Sequence, residues 1–534
     1  MATDTDSRVI EGFGQVSRTV GTLFRYLLLA STLFGIVMLG VLLLYVANDA
    51  IQPLTADPGW HLTFLCTFVL PSLAVGGYLY RRNRPAFRLG GSLVGALAVS
   101  LMFAGGASIV FVDILDPMVW FSYVVGFALA GLGVLAIERR SHSIPFSVRF
   151  VAAIAVVGVS LLVVPNLLID LPYALIGWAV IAYTVGGVVA AALGRYVYRS
   201  RGPRKAIVAA GGVLLAVAAL ALAGPLVGVD PLPASIVAAV SLVPVCSYAG
   251  VAAFDRPKAR VGLVFAAVVV GGAFLGAAVA DLAGFAGPES WVNWSFLTNA
   301  HSGTAADAGL YPAIGGSILL MVTVAALSFP LGVGAAVYLE EYAPDNRFTR
   351  FIDINISNLA GVPSVVYGLL GLGVFVTYAG RAMGTVLVGG ATLSLLILPI
   401  VIISSREAIR SVPEEMRQAS YGMGATRWQT VKNVVLPRAF PGIMTGTILA
   451  LGRAIGETAP LIMIGAPNVA FSLPTELTSK VSAMPLQVYA WAGLFASEEF
   501  YRQAVPAGVV VLLVVLLSMN SVAIVLRNRY EDGN

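Results

Sequence analysis

The sequence predicts an all-α polytopic membrane protein of about fourteen transmembrane helices. Three observations predict it. Of 534 residues, 58% are hydrophobic and only 11% charged, where a soluble domain carries about 25% charged residues. The apolar residues gather in runs of about 20, the length that crosses a hydrocarbon core. The basic residues fall in every second connection between those runs, as the positive-inside rule requires.

Taken in order, residues 1–22 are mostly polar and lack the pattern of a secretory signal. Spans are then expected at 23–47, 59–79, 89–112, 117–137, 150–169, 172–194, 206–228, 232–253, 261–284, 312–338, 354–378, 383–403, 442–465 and 504–526. Alternate connections hold Arg81, Arg82, Arg84 and Arg88, then Arg139, Arg140 and Arg149, then Arg195, Arg199, Arg201, Arg204 and Lys205, then Arg256, Lys258 and Arg260. The intervening ones hold Asp49 and Asp57, Asp113 and Asp116, Asp170, and Asp230, with no Lys or Arg. The alternation continues through Arg347 and Arg350, the 404–440 segment, and Arg527 and Arg529, against the exceptions Arg381, Lys480 and Arg502. A multi-pass plasma-membrane protein follows, with both termini and the 404–440 segment cytoplasmic. The net charge of +5 is explained by these turns and does not imply nucleic acid.

Several chemistries are absent. Cys66 and Cys246 lie in separate apolar runs, and His61, His142 and His301 are far apart, so neither a disulfide framework nor a metal spacing is present. None of the four lysines (205, 258, 432 and 480) follows a glycine, so the chain has no P-loop and any ATP must be held elsewhere. No H-E-x-x-H or G-x-S-x-G occurs.

The scarce charge concentrates in 404–465. Ser411-x-x-Glu414 and Thr426-x-x-Gln429 each fit a capping box, and Gly422 and Gly424 lie between them where a helix would turn. The expectation is helix, glycine-rich break, then a second helix ended by Leu436-Pro437. An apolar helix follows, carrying Arg453 and Glu457. If that helix starts at Gly442, Arg453 lies roughly 17 Å along it, near mid-bilayer. Charge there costs about 2.5–3.5 kcal/mol or more unless it is paired or hydrated. The i,i+4 spacing lets the two side chains meet. Two readings stand: a structural ion pair that locks helix packing, or a polar lining of an anion path, for which an Arg fork suits oxyanion oxygens. Gly368, Gly371 and Gly373 are read as sites of close helix approach.

The spacing of Gln418-Ala419-Ser420, Gly424 and Val434-Val435-Leu436-Pro437 resembles the EAA loop of ABC importer permeases, with Gln for Glu, Ser for the second Ala and Val for Ile. Arg453-Ala-Ile-Gly456-Glu457-Thr-Ala-Pro460 resembles the R-x-x-GETAP signature of phosphate-importer permeases. Tyr338-Leu-Glu-Glu-Tyr342-Ala and Asn358-Leu-Ala-Gly-Val-Pro363-Ser-Val-Val-Tyr367-Gly-Leu are also similar to that family. Residues from about 285 to 526 thus resemble the PstA-type permease subunit. The resemblance implies a type I importer core of six helices and import of phosphate, with molybdate or sulfate, or a membrane scaffold or sensor of phosphate status, as alternatives. It implies ATPase coupling through Glu414, Gln418, Ala419, Ser420, Gly424, Leu436 and Pro437, and a substrate path at Arg453 and Glu457. It also implies partners: a second, PstC-type permease, two PstB-type ATPases that bind ATP and Mg, and an extracytoplasmic PstS-type phosphate-binding protein, all among membrane lipid. This chain itself is expected to hold no cofactor.

A composition shift near Asp255–Arg260 divides the chain into an extra domain of about eight helices at 1–254 and the permease domain at 255–534. An alternative keeps 23–47 as the first helix of the core, with eight spans inserted after it. An even insertion preserves topology in both cases.

Overall fold

The computed structural model describes residues 18–140, 146–169, 177–495 and 497–531. Asp170, His142 and residues 1–17 lie outside the described residues, as do the side chains of Arg149, Arg527 and Arg529. Among the described residues there are helices and connecting turns, with one isolated bridge between Thr385 and Lys480 and no strand.

Among the described residues thirteen helices are long and apolar enough to cross a membrane, and one bent pair brings the number to fourteen if it is counted as a single span. The first nine are α1 (Thr19–Ile51), α2 (Pro58–Arg82), α3 (Arg84–Ile114), α4 (Pro117–Ile137), α5 (Val151–Leu168), α6 (Gly177–Arg201), α7 (Pro203–Val227), α8 (Pro231–Asp255) and α9 (Gly262–Ala283). They are followed by α10 (Tyr311–Tyr342), the bent pair α11 (Arg347–Ala360) and α12 (Ser364–Tyr378), and α13 (Val386–Arg410). A short helix, α14 (Glu414–Gly422), precedes α15 (Arg427–Ala454). Two more, α16 (Ala459–Met463) and α17 (Met484–Gly493), precede the last span, α18 (Phe500–Ser521). Each apolar run expected from the sequence has its counterpart here, with two differences.

The run at 354–378 is not one straight span. α11 and α12 meet at 106°, across a break at Gly361–Pro363. Proline has no N–H to donate and excludes helical geometry from the residue before it, so the chain turns there. The run at 442–465 is displaced to Arg427–Ala454. Leu436-Pro437 does not end the hairpin's second helix, because a π turn at Val431–Val435 carries the chain through. Pro437 then sits in the first turn after it, where a missing N–H costs little. The helix stops at Ala454 because Gly456 and Pro460 follow.

The centre of the C-terminal bundle is α13. Two-thirds of its apolar stretch is buried (67%), whereas none of α1's is (0%). Leu393, Leu396, Ile397 and Val401 of α13 pack with Leu320 and Val324 of α10, Ala450 and Ala454 of α15, and Leu461 of α16. Gly371 admits Thr392 of α13, since a Cβ there would lie 2.2 Å from its hydroxyl. Gly368 likewise meets Pro460, whereas Gly373 faces open space.

The first span packs with the last: α1 lies against α18, while α9 lies against α2 and α3. The boundary expected at 254/255 therefore falls between α8 and α9, with α9 packed on elements that precede it. A hydrogen-bonded seam joins the end of α1 to the segment leading into α10. The Asp57 N–H donates to the Ala286 carbonyl (3.0 Å) and the Trp291 N–H to the Ala50 carbonyl (2.9 Å). The Ala286 N–H donates to an Asp57 carboxylate oxygen (2.7 Å), and the Glu289 N–H to the Thr55 hydroxyl (2.9 Å). The chain thus leaves and returns at adjacent points, with α2–α9 between them.

On the face opposite the 411–437 hairpin, the connections 285–310 and 464–499 close over the bundle. Buried Gln487 donates to the Gly309 carbonyl (2.9 Å) and accepts from the Ala470 N–H (3.1 Å). Trp491 Nε1 donates to His301 Nδ1 (3.1 Å), and the imidazole is packed among Phe471, Phe495 and Phe500. Burial pushes the His301 pKa down, so the ring is held neutral as an acceptor. A His with a lowered folded pKa binds fewer protons folded than unfolded. Its contribution is therefore complete above the unfolded value of about 6.5 and declines as pH falls through it toward the folded value, by at most about 1.4 kcal/mol per pH unit. Thermal unfolding of the purified protein between pH 7 and pH 5 is expected to show a steeper loss for the parent than for His301→Gln. Parallel curves would mean that the imidazole binds protons equally in the folded and unfolded states.

Candidate functional site

The hairpin at 411–437 is built from two helices and a glycine. α14 starts at Pro413 without a side-chain cap, and Ser411 instead donates to the Ala408 carbonyl (2.8 Å). The capping box expected at Ser411 and Glu414 is therefore not formed, because Pro413 sets the helix start by fixing φ and Ser411 completes α13. The second box is formed: Thr426 Oγ1 accepts from the Gln429 N–H (3.3 Å) while Gln429 Oε1 accepts from the Thr426 N–H (2.8 Å). Gly424, at φ +83°, makes the left-handed turn between them. Ser420 and Thr430 join the two arms through their hydroxyls (2.8 Å). Gln418, Ala419 and Glu414 are exposed, as are Met423 (89%) and Trp428 (53%), an apolar tip with nothing over it in this chain. Leu436 and Pro437 lie at the base of the hairpin, within α15 and directly after its π turn.

A charge cluster fixes the hairpin to the spans. Arg417 Nη2 donates to Glu341 Oε1 (3.1 Å) and to the Ile409 carbonyl (2.9 Å), with Nη1 on the Val412 carbonyl. The two side chains are only 12% and 6% exposed. Glu340 accepts from Arg410 Nε (2.9 Å) and Arg406 Nε (3.3 Å), and Arg406 Nη1 reaches Asp353 of α11 (2.7 Å). Arg427 stacks over Tyr342 at 5.2 Å. A cleft of about 710 Å³ opens among Glu340, Glu341, Arg410, Glu414, Arg417 and Arg427.

Arg453 and Glu457 lie at the other end of α15. Arg453 is the penultimate residue of that helix rather than its middle, and Glu457 follows the break, its N–H on the Ala454 carbonyl (3.2 Å). Arg453 Nε meets Glu457 Oε1 at 3.4 Å, and the side chains are 45% and 17% exposed. Among the described residues the terminal guanidinium nitrogens of Arg453 bond nothing else. The structure thus does not bring the two groups of expected site residues together. Leu436 and Pro437 lie within α15, about 25 Å before Arg453 at 1.5 Å per residue, and Glu414, Gln418, Ala419, Ser420 and Gly424 lie beyond the start of that helix.

Residues 328–532 match the family described as binding-protein-dependent transport system inner membrane component. A probable ABC transporter permease, YqgI of Bacillus subtilis (strain 168), is 37% identical over 204 residues, 38% of this chain and 68% of its own. The chain belongs to this ABC transporter permease family. The permease is also 33% identical over 221 residues to the phosphate transport system permease PstA of Yersinia pestis, 41% of this chain and 72% of that one. It is 35% identical over 181 residues to PstA 1 of Mycobacterium tuberculosis (strain CDC 1551 / Oshkosh), 34% of this chain and 59% of its relative. A chain of the MetNI methionine ABC transporter, solved in inward-facing conformations, aligns with 42% of this chain and 94% of its own at 15% identity. Its TM-score of 0.33 is too low to bear on the fold. The matched segment contains α15, the hairpin and Glu340–Glu341, while α1–α9 lie outside it.

Sequence reasoning missed the acidic pair Glu340–Glu341 as the anchor of the hairpin. The available signal was two adjacent carboxylates at the end of an apolar run, facing a segment with Arg406, Arg410 and Arg417. Removing one partner of a buried ion pair costs about 3–5 kcal/mol. Arg417→Ala and Glu341→Ala are each expected to speed protease cleavage within 411–437 while α10 and α13 stay protected. Equal cleavage rates in parent and variants would show that the tip is held by other contacts.

Proposed function

We propose that this permease forms, with a second related PstC-type permease chain, the membrane path of an ATP-driven phosphate importer. Two PstB-type ATPase subunits would bind ATP and Mg, since this chain carries no P-loop, and a PstS-type protein would deliver phosphate from outside. The face bearing the hairpin and the basic turns is then cytoplasmic, with both termini on it. The observation that carries the reading is the unfilled guanidinium of Arg453 in a chain similar to PstA permeases over most of their length. Arg453 makes one long contact and keeps its planar end free, unlike Arg417, whose donors are all but consumed by a buried anchor. A free fork fits two oxygens of an oxyanion.

The exposed tip formed by Ala419, Met423 and Trp428 is the surface offered to the ATPase, with Glu414, Gln418 and Ser420 around it. Closure of the ATPases would move this tip. Because α15 is continuous from Arg427 to Ala454, the displacement would reach Arg453 through one rigid element. Glu457 would hold the guanidinium in orientation and limit how strongly the anion stays.

The same reading assigns α1 to the six-helix core, with α10, the α11–α12 pair, α13, α15 and α18, and treats α2–α9 as eight spans inserted behind α1. The packing of α1 on α18 and the seam at 50–57 and 285–291 support it.

Arg453→Ala is expected to lower phosphate uptake about tenfold or more, the effect of losing a charge-assisted hydrogen bond of about 1.5–3 kcal/mol, with the yield of assembled complex unchanged. Arg453→Lys should rescue poorly, and Glu457→Gln should be the milder change. Near-parental uptake by the double change Arg453→Met with Glu457→Leu would make the pair a packing device. Parental sulfate or molybdate uptake in place of phosphate would reassign the anion.

Deleting 59–284 is expected to leave a chain that inserts, assembles and transports, because both cut ends lie at the seam. A chain beginning at Asp255 keeps α9 but lacks α1 and should assemble several-fold less well. Uptake by the second and not the first would overturn the assignment of α1.

A further inference from the structure

The spans α2–α9, which lie outside the matched family segment, contain a feature of their own. A groove of about 350 Å³ runs between α2 and α9, lined by Ala74, Val75, Tyr78, Leu79, Val261 and Val264. Its lining is hydrocarbon except for the Tyr78 hydroxyl. Its walls are fixed by close packing: a Cβ on Gly262 would lie 2.2 Å from the Ala86 carbonyl oxygen of α3, and one on Gly76 would lie 3.0 Å from the Phe265 ring.

Two basic turns adjoin the end of this groove. Arg81 and Arg82 close the last turn of α2, and Arg256, Lys258 and Arg260 occupy the turn before α9, where Arg260 directly precedes the lining residue Val261. The Asn83 side-chain amide donates to the Lys258 carbonyl (2.7 Å) and holds the two basic turns together. Arg82 folds back over the groove, its Nη1 3.4 Å from the Tyr78 hydroxyl and its guanidinium carbon 5.8 Å from that ring's centre. Among the described residues, no carboxylate lies within ion-pair distance of Arg81, Arg82, Arg256, Lys258 or Arg260. By span counting this end lies on the same face as the hairpin.

We infer that this groove holds one anionic phospholipid, with a hydrocarbon chain between α2 and α9 and the phosphate headgroup on Arg82 and Arg260. An apolar slot alone would take any lipid chain, and a basic turn alone would attract any anion. The joining of the two at one rigid mouth selects a molecule that has both, and a basic pocket between spans is the form such sites take. The unpaired state of the cations has the same meaning, since each Arg or Lys near a membrane surface gains about fivefold in affinity for an anionic headgroup. The inference does not depend on what the permease transports.

The test is native mass spectrometry of the full-length protein in detergent, titrated with phosphatidylglycerol or phosphatidylcholine. The parent is expected to retain one phosphatidylglycerol in preference to phosphatidylcholine. R82Q/R260Q should weaken that retention about thirtyfold, at about fivefold for each cation lost. Ala74→Phe fills the groove, leaves every cation in place and should weaken it as well. Millimolar inorganic phosphate should leave the adduct intact. Retention of phosphatidylglycerol by R82Q/R260Q at the parental level would overturn the site, and so would undiminished retention by Ala74→Phe. Equal retention of phosphatidylcholine, or displacement by inorganic phosphate, would overturn the lipid assignment.

Discussion

The buried bond between Arg417 and Glu341 is the contact on which the working parts of this permease depend. The hairpin at 411–437 has an exposed apolar tip and little core of its own. Its position is set by arginines 406, 410 and 417 gripping the carboxylates at the end of α10. Buried charges are tolerable only when their hydrogen-bonding capacity is met, and Arg417 meets it with one carboxylate and two backbone carbonyls. The same carbonyls close the end of α13. One guanidinium therefore fixes the helix end, the hairpin and the acidic pair in a single geometry, and a force on the tip is borne by α13 and α15 together.

The link from the tip to Arg453 is a matter of helix continuity. A bilayer admits no unsatisfied backbone, so each break must be capped by protein, and breaks occur where this chain can cap them. The break after Ala454 is closed by α16, whose end at Gly465 docks on the start of α13 through the Gly384 N–H and the Ile464 carbonyl (2.9 Å). The break at Gly361–Pro363 turns α11 flat against α13. Away from these two places α15 is continuous from Arg427 to Ala454, through the π turn at Val431–Val435.

Much of this was legible in the sequence. Hydropathy and the alternation of arginine-rich with aspartate-bearing turns placed the crossings other than those at 354–378 and 442–465, because a hydrocarbon core demands length and apolarity and little else. The spacing around Gly424 marked the hairpin's turn, and the Thr426–Gln429 box marked the start of its second arm. What was not legible depends on competition between local signals. Leu436-Pro437 reads as a helix end, yet proline in a first turn is harmless and a π turn carried the helix through it. Ser411 fits a cap, yet Pro413 decides where α14 begins. Residues 354–378 read as one apolar run, since hydropathy does not register a bend. The role of Glu340 and Glu341 and the docking of α1 on α18 are long-range facts with no local sign. The i,i+4 spacing marks Arg453 and Glu457 as a pair, but their place at a helix end, with the terminal guanidinium nitrogens left free, depends on where Gly456 and Pro460 break the helix.

The docking of α1 has a consequence for biosynthesis. α1 is made early, and the span it packs against, α18, begins about 450 residues later. At roughly 5–20 residues per second, α1 waits some tens of seconds in the bilayer before its partner emerges. Its side chains must therefore be acceptable to lipid on every side, and in the finished protein they are still exposed along nearly the whole helix. The spans α2–α9 lengthen that wait, and the seam at Asp57 and Ala286 keeps the ends on either side of them close. When the segment leading into α10 emerges, this seam sets it beside the end of α1, so the long interruption in the chain does not become a long search in the membrane.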